Sequence, residues 1–294
     1  VSRVAVVRYR EQAAGRLLPR WLQVSIVVVL LVLVLAPVLY MLSASVNSDL
    51  SVAAGDAWPS SFHPGNYLRI WSTVDLGTGL VNSVLVAGSV AVVSSLVAVA
   101  NAYVLVRFRF FGRLTILRGL LALQSIPGTL LLVPVFVLVS SISTVIGVPL
   151  VGTRTALFVT YLTFTLPFST WVMVTYLRGL PEELDEAARI DGASSWHILT
   201  RIVLPLSRPG LVVSSIFAFL LGWNDVLFAS VLTDQDTRTV AVALQVFGIA
   251  QEGGAIPPCG QLMAASMVCA VPVVVLYLIF QRHLVSGLSA GGVK

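Results

Sequence analysis

Charged side chains are scarce in this chain of 294 residues: 18 basic and 13 acidic residues make up 11% of it, against 57% hydrophobic, with a mean hydropathy of +0.95. A soluble domain carries about 25% charged residues, so a water-facing globule is excluded. Disorder is excluded more firmly, because it needs low hydrophobicity and high net charge. Cysteine is nearly absent as well. Cys259 and Cys269 stand ten apart with no C-x-x-C and no nearby histidine, which leaves neither a disulfide framework nor a zinc pattern. The phosphate cradle G-x-x-x-x-G-K-[ST] is missing, as are G-x-S-x-G and H-E-x-x-H. The chain therefore reads as non-enzymatic, with no cofactor or metal of its own.

What is present is long apolar runs. A bilayer core about 30 Å thick needs roughly 20 largely apolar residues at 1.5 Å each. Six runs qualify, at 21–42, 82–106, 117–140, 156–177, 211–231 and 262–281. The first follows Arg3, Arg8, Arg10, Arg16 and Arg20. Its apolar stretch exceeds the roughly 7–15 residues of a secretory signal, so it reads as a retained span. The expected fold is thus an all-α integral membrane bundle of six transmembrane helices. It divides into an amino tail (1–20), a first span (21–42), an external loop (43–81), a five-span core (82–281) and a carboxyl tail (282–294).

The basic residues set the orientation. Five arginines lie in the amino tail, Arg107, Arg109, Arg113 and Arg118 follow span two, and Arg178, Arg189, Arg201 and Arg208 follow span four. With Arg282 and Lys294 these are fifteen of the 18 on one face, leaving Arg69, Arg154 and Arg238 on the other. Positive charge accumulates on cytoplasmic loops, so both termini are expected inside a bacterial cytoplasmic membrane. The net charge of +5 is then a topology signal, and no nucleic-acid partner is implied.

Charged groups inside the spans are almost absent, which argues against a proton pump or voltage sensor. Asp225 is the main exception, following Trp223 and Asn224. An interfacial Trp with solvated polar neighbours and a polar gate or substrate path both fit, and Gln124 and Asn101 share that ambiguity. Ser83, Ala87, Ala91 and Ser95 recur every fourth residue and predict a packing seam on span two. Pro127-Gly128, Pro134, Pro167 and Pro272 mark spans that are not straight or not wholly lipid-facing.

The 178–208 loop is the one cytoplasmic stretch that reads as folded. Pro181 suits the first helical position, and Glu182, Glu183, Asp185 and Glu186 suit the positive end of the helix dipole. Leu184, Ala187 and Ala188 form a narrow face of small and apolar side chains, Gly192 supplies a break, and Ser194 or Ser195 caps a second helix from about Trp196 to Val203. Two readings stand: a capped, solvated loop, or an element that docks in a cleft of another protein.

The segment Glu186-Ala187-Ala188-x-x-x-Gly192, with nine residues before Ile202-x-Leu204-Pro205, resembles the EAA signature of ABC importer permeases. Its longer form, E-E-L-D-E-A-A-R-I-D-G-A-S followed by I-V-L-P-L, is similar to the carbohydrate-uptake, MalG-like branch. Asn82-Ser83, Ala102-Tyr103 with Arg107, Trp223-Asn224-Asp225 and Gly287-Leu288 agree with that branch.

The resemblance implies a type I importer permease fold (MetI- or MalG-like) and a translocation subunit for a disaccharide or oligosaccharide. Its partners would be a second, MalF-like permease, two cytoplasmic ABC ATPases carrying ATP and Mg, and an external binding protein or lipoprotein. It further implies that Asp185, Glu186, Ala187, Ala188, Asp191, Gly192, Leu204 and Pro205 form the ATPase-coupling loop. Asp185 and Glu186 would pair with basic residues of the ATPase. Gln124, Trp223, Asn224 and Asp225 are candidates for the substrate path. The shorter signature is shared with importers of peptides, polyamines or phosphate, a polyol or a glycerol phosphate derivative is a further alternative solute, and a multi-span membrane enzyme or a stand-alone secondary carrier is the alternative from outside the class.

Overall fold

The structure is a computed structural model that describes residues 19–56, 58, 62–250 and 258–290. Most of the expected amino tail, the tip of the 251–260 loop and the last four residues lie outside the described residues. The chain divides into two compact units, residues 1–68 with 255–267, and residues 69–254 with 268–294. Among the described residues there is no strand, only an isolated bridge between Gly152 and Thr233.

The helices are α1 (Arg20–Ser45), α2 (Asp49–Ala54), α3 (Asn66–Thr73), α4 (Leu76–Arg107), α5 (Arg113–Leu123), α6 (Gly128–Ile146), α7 (Arg154–Leu177), α8 (Glu183–Ile190) and α9 (Ser195–Ile198). A π turn over Leu199–Val203 joins α9 to α10 (Leu204–Leu206). Then come α11 (Arg208–Asn224), α12 (Leu227–Leu232), α13 (Val240–Ala250) and α14 (Cys259–Ala290).

In the first unit α1 is apolar on all sides, and none of its most apolar window is buried within the chain. Where it ends, a polar knot replaces apolar packing. Asn66 donates to the carbonyls of Ser45 and Asn47, at 3.1 and 3.0 Å, and the Ser45 and Tyr67 hydroxyls meet at 2.8 Å. Ser48 caps α2, and Asp49 accepts from the Gly260 amide at 2.8 Å.

The second unit is built around α4, half of whose apolar window is buried, as is that of α7. The predicted seam is real. Ser83, Ala87, Ala91 and Ser95 are all buried, and Ala98 and Ala102 extend the row. Small side chains let backbones approach in a setting where water supplies no drive to associate. Gly222 of α11 uses that room: a Cβ there would lie 3.3 Å from the Ala87 Cβ and 3.1 Å from the Tyr161 ring. At its first turns α4 is stitched to the 232–240 segment. Asn82 donates to the carbonyls of Asp236 and Arg238, and the Ser83 hydroxyl accepts from the Val240 amide at 2.8 Å.

Five described helices are long and apolar enough to cross a membrane: α1, α4, α6, α7 and residues 259–281 of α14. The fifth expected span falls on Arg208–Asn224, which passes the same test of length and apolarity only together with Ser195–Leu206, the two meeting at 77°. Two expected spans are corrected. The run at 117–140 is not one helix, because α5 stops at Leu123 and Pro127, at ψ 127°, precedes α6. A proline both lacks an amide and disfavours helix in the residue before it. The run at 211–231 breaks at Asp225, whose extended backbone ends α11 before α12 restarts. α14 also continues as helix to Ala290, through most of the segment expected to be a carboxyl tail.

Candidate functional site

The 178–208 connection folds as two helices around a glycine turn, as the spacing predicts. Gly192 has φ +82°, the left-handed region that favours glycine. Around it the amide of Ala193 bonds the carbonyl of Ala188 at 2.9 Å and that of Gly192 the carbonyl of Arg189 at 3.0 Å. These two bonds constitute a Schellman stop for α8. Ser194 then caps α9, accepting from the His197 amide at 3.3 Å.

Three details depart from the expectation. First, α8 starts at Glu183, because the Pro181 carbonyl accepts from Arg107 while the Asp185 amide goes to Glu182. Second, the second helix does not end before Pro205; it runs on to Leu206 through the π turn. A proline ring clashes with the carbonyl four residues earlier, here that of Arg201, and the wider turn takes up the misfit. The chain bends at Ser207, beyond Leu204 and Pro205.

Third, Asp185 is not offered to another protein. Its Oδ2 accepts from the Arg107 Nε at 2.8 Å, and the two side chains are 6% and 4% exposed. Glu186, Ala187, Asp191 and Gly192 are exposed, whereas Ala188 and Leu204 pack against the apolar cluster beneath. That cluster takes Ile198 and Val203 from the connection, and Val99, Tyr103, Met173 and Leu177 from α4 and α7.

The loop also exposes large apolar side chains among these polar ones. Ile190 is 86% exposed, Trp196 72% and Leu184 42%. Between the two helices a concavity of about 560 Å³ is lined by Ala188, Asp191, Gly192, Ser194, His197 and Ile202. Exposed Ile and Trp flanking an Asp-Gly turn were visible in the sequence, but the α8 face read there was that of Leu184, Ala187 and Ala188.

The second cluster of expected residues divides. Gln124 and Asn224 line a groove of about 540 Å³ with Phe164, Phe168, Phe217 and Ser169. Among the described residues no ionisable side chain lines it. Gln124 donates to the Phe164 carbonyl at 2.8 Å, in the turn of α7 that Pro167 disturbs.

Trp223 and Asp225 do not line the groove. Trp223 is buried and stacks on Phe219, ring centroids 5.3 Å apart. Asp225 accepts from the Tyr161 hydroxyl at 2.7 Å and from the amides of Phe228 and Ala229 at 3.1 and 3.0 Å. It is the cap of α12. Asn101 reaches the Thr170 hydroxyl at 3.5 Å, across the α4–α7 contact.

The chain is similar to known proteins in sequence and in fold. The chain matches a family described as the binding-protein-dependent transport system inner membrane component over residues 90–290. It is 34% identical over 271 residues to the trehalose/maltose transport system permease protein MalG of Thermococcus litoralis, covering 91% of this chain and 94% of that one. The diacetylchitobiose uptake system permease protein NgcG of Streptomyces coelicolor is 34% identical over 262 residues, covering 88% and 84%. In fold it is similar to a chain of a bacterial ABC transporter involved in the import of the acidic polysaccharide alginate, at TM-score 0.69 and 19% identity, covering 96% and 98%.

A helical bundle with several membrane-spanning helices and an EAA-type connection at one end defines a multi-pass membrane permease subunit. The chain belongs to the family of binding-protein-dependent transport system inner membrane components.

Proposed function

We propose that this chain is a translocation subunit of an ATP-driven saccharide importer and that it takes no catalytic part. The supporting observation is the 178–208 connection, which is anchored to the bundle on its inner side and exposes Leu184, Ile190 and Trp196 on its outer side. Apolar side chains at a helix–turn–helix outside the spans have no structural use in an isolated chain. They suit a cleft on a partner, where buried aromatic and aliphatic anchors carry most of the binding free energy.

On this reading both termini and the connection face the cytoplasm, where two ATPases hold ATP and Mg. A second permease completes the pathway and an external binding protein delivers the sugar. Glu186, Ala187, Ala188, Asp191 and Gly192 dock on the ATPase, and Leu204-Pro205 carries the displacement into α11. The substrate runs past the groove of Gln124, Phe164, Phe168, Phe217 and Asn224. Aromatic faces with amides and no charge suit a neutral sugar, whose hydroxyls need donors and acceptors and whose C–H faces need apolar cover.

The test is purification of the tagged chain from its native membrane in mild detergent, then reconstitution of whatever accompanies it. Recovery of a second permease, a Walker-motif ATPase and a sugar-binding protein, with sugar-stimulated hydrolysis, is expected. Recovery of the chain alone, where a control ABC complex stays intact, refutes the proposal.

A further inference from the structure

Arg107 is the last residue of α4, and its guanidinium reaches four groups of the connection. Nε donates to Asp185 at 2.8 Å, Nη1 lies 3.6 Å from Glu182, and Nη2 donates to the carbonyls of Leu180 and Pro181 at 3.2 and 3.4 Å. All four lie between residues 180 and 185, in the half of the connection that leads into α8. The other half is held by different means, with Ile198 and Val203 fully buried against α4 and α7. α8 is thus suspended between an ionic anchor at one end and a Schellman turn at the other.

The direction of the anchor matters. At 100° per residue, Ala187 and Ile190 lie roughly opposite Asp185 on α8. A load applied to the outward side of this helix therefore reaches the spans through the inward side, where Arg107 is the charged contact. An arginine suits the task because its planar fork satisfies a carboxylate and two carbonyls together, which an ammonium on a flexible stem does not. Its burial also removes it from the docking surface.

We infer that Arg107 is a positioning residue for coupling: it fixes the attitude of α8 on α4, so that movement of a docked ATPase displaces α4 instead of rocking α8. The inference rests on the coupling-loop reading of the 178–208 connection.

The experiment uses the complete complex in proteoliposomes, with partner permease, ATPase and binding protein, and measures ATPase retained on purification, basal hydrolysis, and solute imported per ATP. Arg107→Gln is expected to retain the ATPase and to hydrolyse at the basal rate while solute per ATP falls about tenfold. Arg107→Lys is expected to fall between Gln and the parent.

An unchanged ratio in Arg107→Gln overturns the inference. So does loss of ATPase retention in both the Gln and Lys variants, which would make Arg107 a residue of loop folding alone. A parallel Ala187→Trp variant, on the exposed side of α8, separates the two levels. If it leaves ATPase retention intact, the coupling-loop reading itself fails. If it abolishes retention while Arg107→Gln transports normally, only the positioning role fails.

Discussion

The Tyr161 hydroxyl on α7 donates to the Asp225 carboxylate at 2.7 Å, and the same oxygen accepts the first free amides of α12. One charge in an otherwise apolar passage is thereby placed at the one point where the backbone must break. In lipid a broken helix leaves amides that only protein can satisfy, and Asp225 does so from within the chain. This ties the sixty-four-residue separation of the two side chains to the shape of the fifth passage.

Asp225→Ala should therefore destabilise the protein by about 1–3 kcal/mol through loss of a cap and of a charge-assisted bond, and Tyr161→Phe by about 1 kcal/mol. Thermal unfolding in detergent measures both. The two effects should fall short of additive in the double variant, since both remove the same bond. Strict additivity would show that the pair does not interact energetically.

Gly222→Leu tests the close approach of α11 to α4 and α7. The added side chain meets the Tyr161 ring and Ala87, and overpacking of this kind costs about 1–3 kcal/mol. A lowered melting temperature is expected, whereas Gly88→Leu, where nothing lies within 4 Å of a Cβ, should be tolerated.

Trp196→Ala and Ile190→Asp address the docking surface. Both side chains are largely exposed in the chain, so its own melting temperature should hardly move. Affinity for the ATPase should drop about thirtyfold or more, as for anchor residues in other interfaces. Glu186→Lys and Gly192→Val should also impair assembly or uptake, the latter because φ +82° strains a β-branched residue. Titration of the detergent-solubilised chain with labelled ATPase is the measurement.

Asn224→Leu and Phe217→Ala probe the groove. Both should raise the concentration of sugar needed for half-maximal uptake by about tenfold, the loss expected for one good polar or apolar contact. Trp223→Phe, buried behind the groove against Phe219, should act on stability instead. An unchanged uptake curve for both groove variants would remove this face from the pathway.

Four of the six passages were legible to within a few residues, because a hydropathy window measures a local property and a helix in lipid has to satisfy its own backbone. The glycine turn at Gly192, the Ser194 cap and the seam from Ser83 to Ser95 were legible for the same reason: each follows from residues within a turn or two. The breaks at Gln124–Pro127 and at Asp225 were only partly legible. Proline announces a misfit, but whether the helix continues through it, as at Pro167, or stops, as before α6, depends on what neighbouring helix accepts the freed groups.

Sequence alone thus determined that this is a polytopic helical protein whose 178–208 connection is two short helices around a glycine turn, since composition, periodicity and turn chemistry are carried by neighbours along the chain. Tertiary structure decided which polar side chains serve the fold and which face outward. Asp185 and Glu186 are adjacent and chemically alike, yet one is locked to Arg107, seventy-eight residues away, and the other is exposed. Asn224 and Asp225 divide in the same way, one lining the groove and the other capping a helix. A carboxylate's partner is set by which helices abut and at what height, and that register comes from packing along the whole of α4.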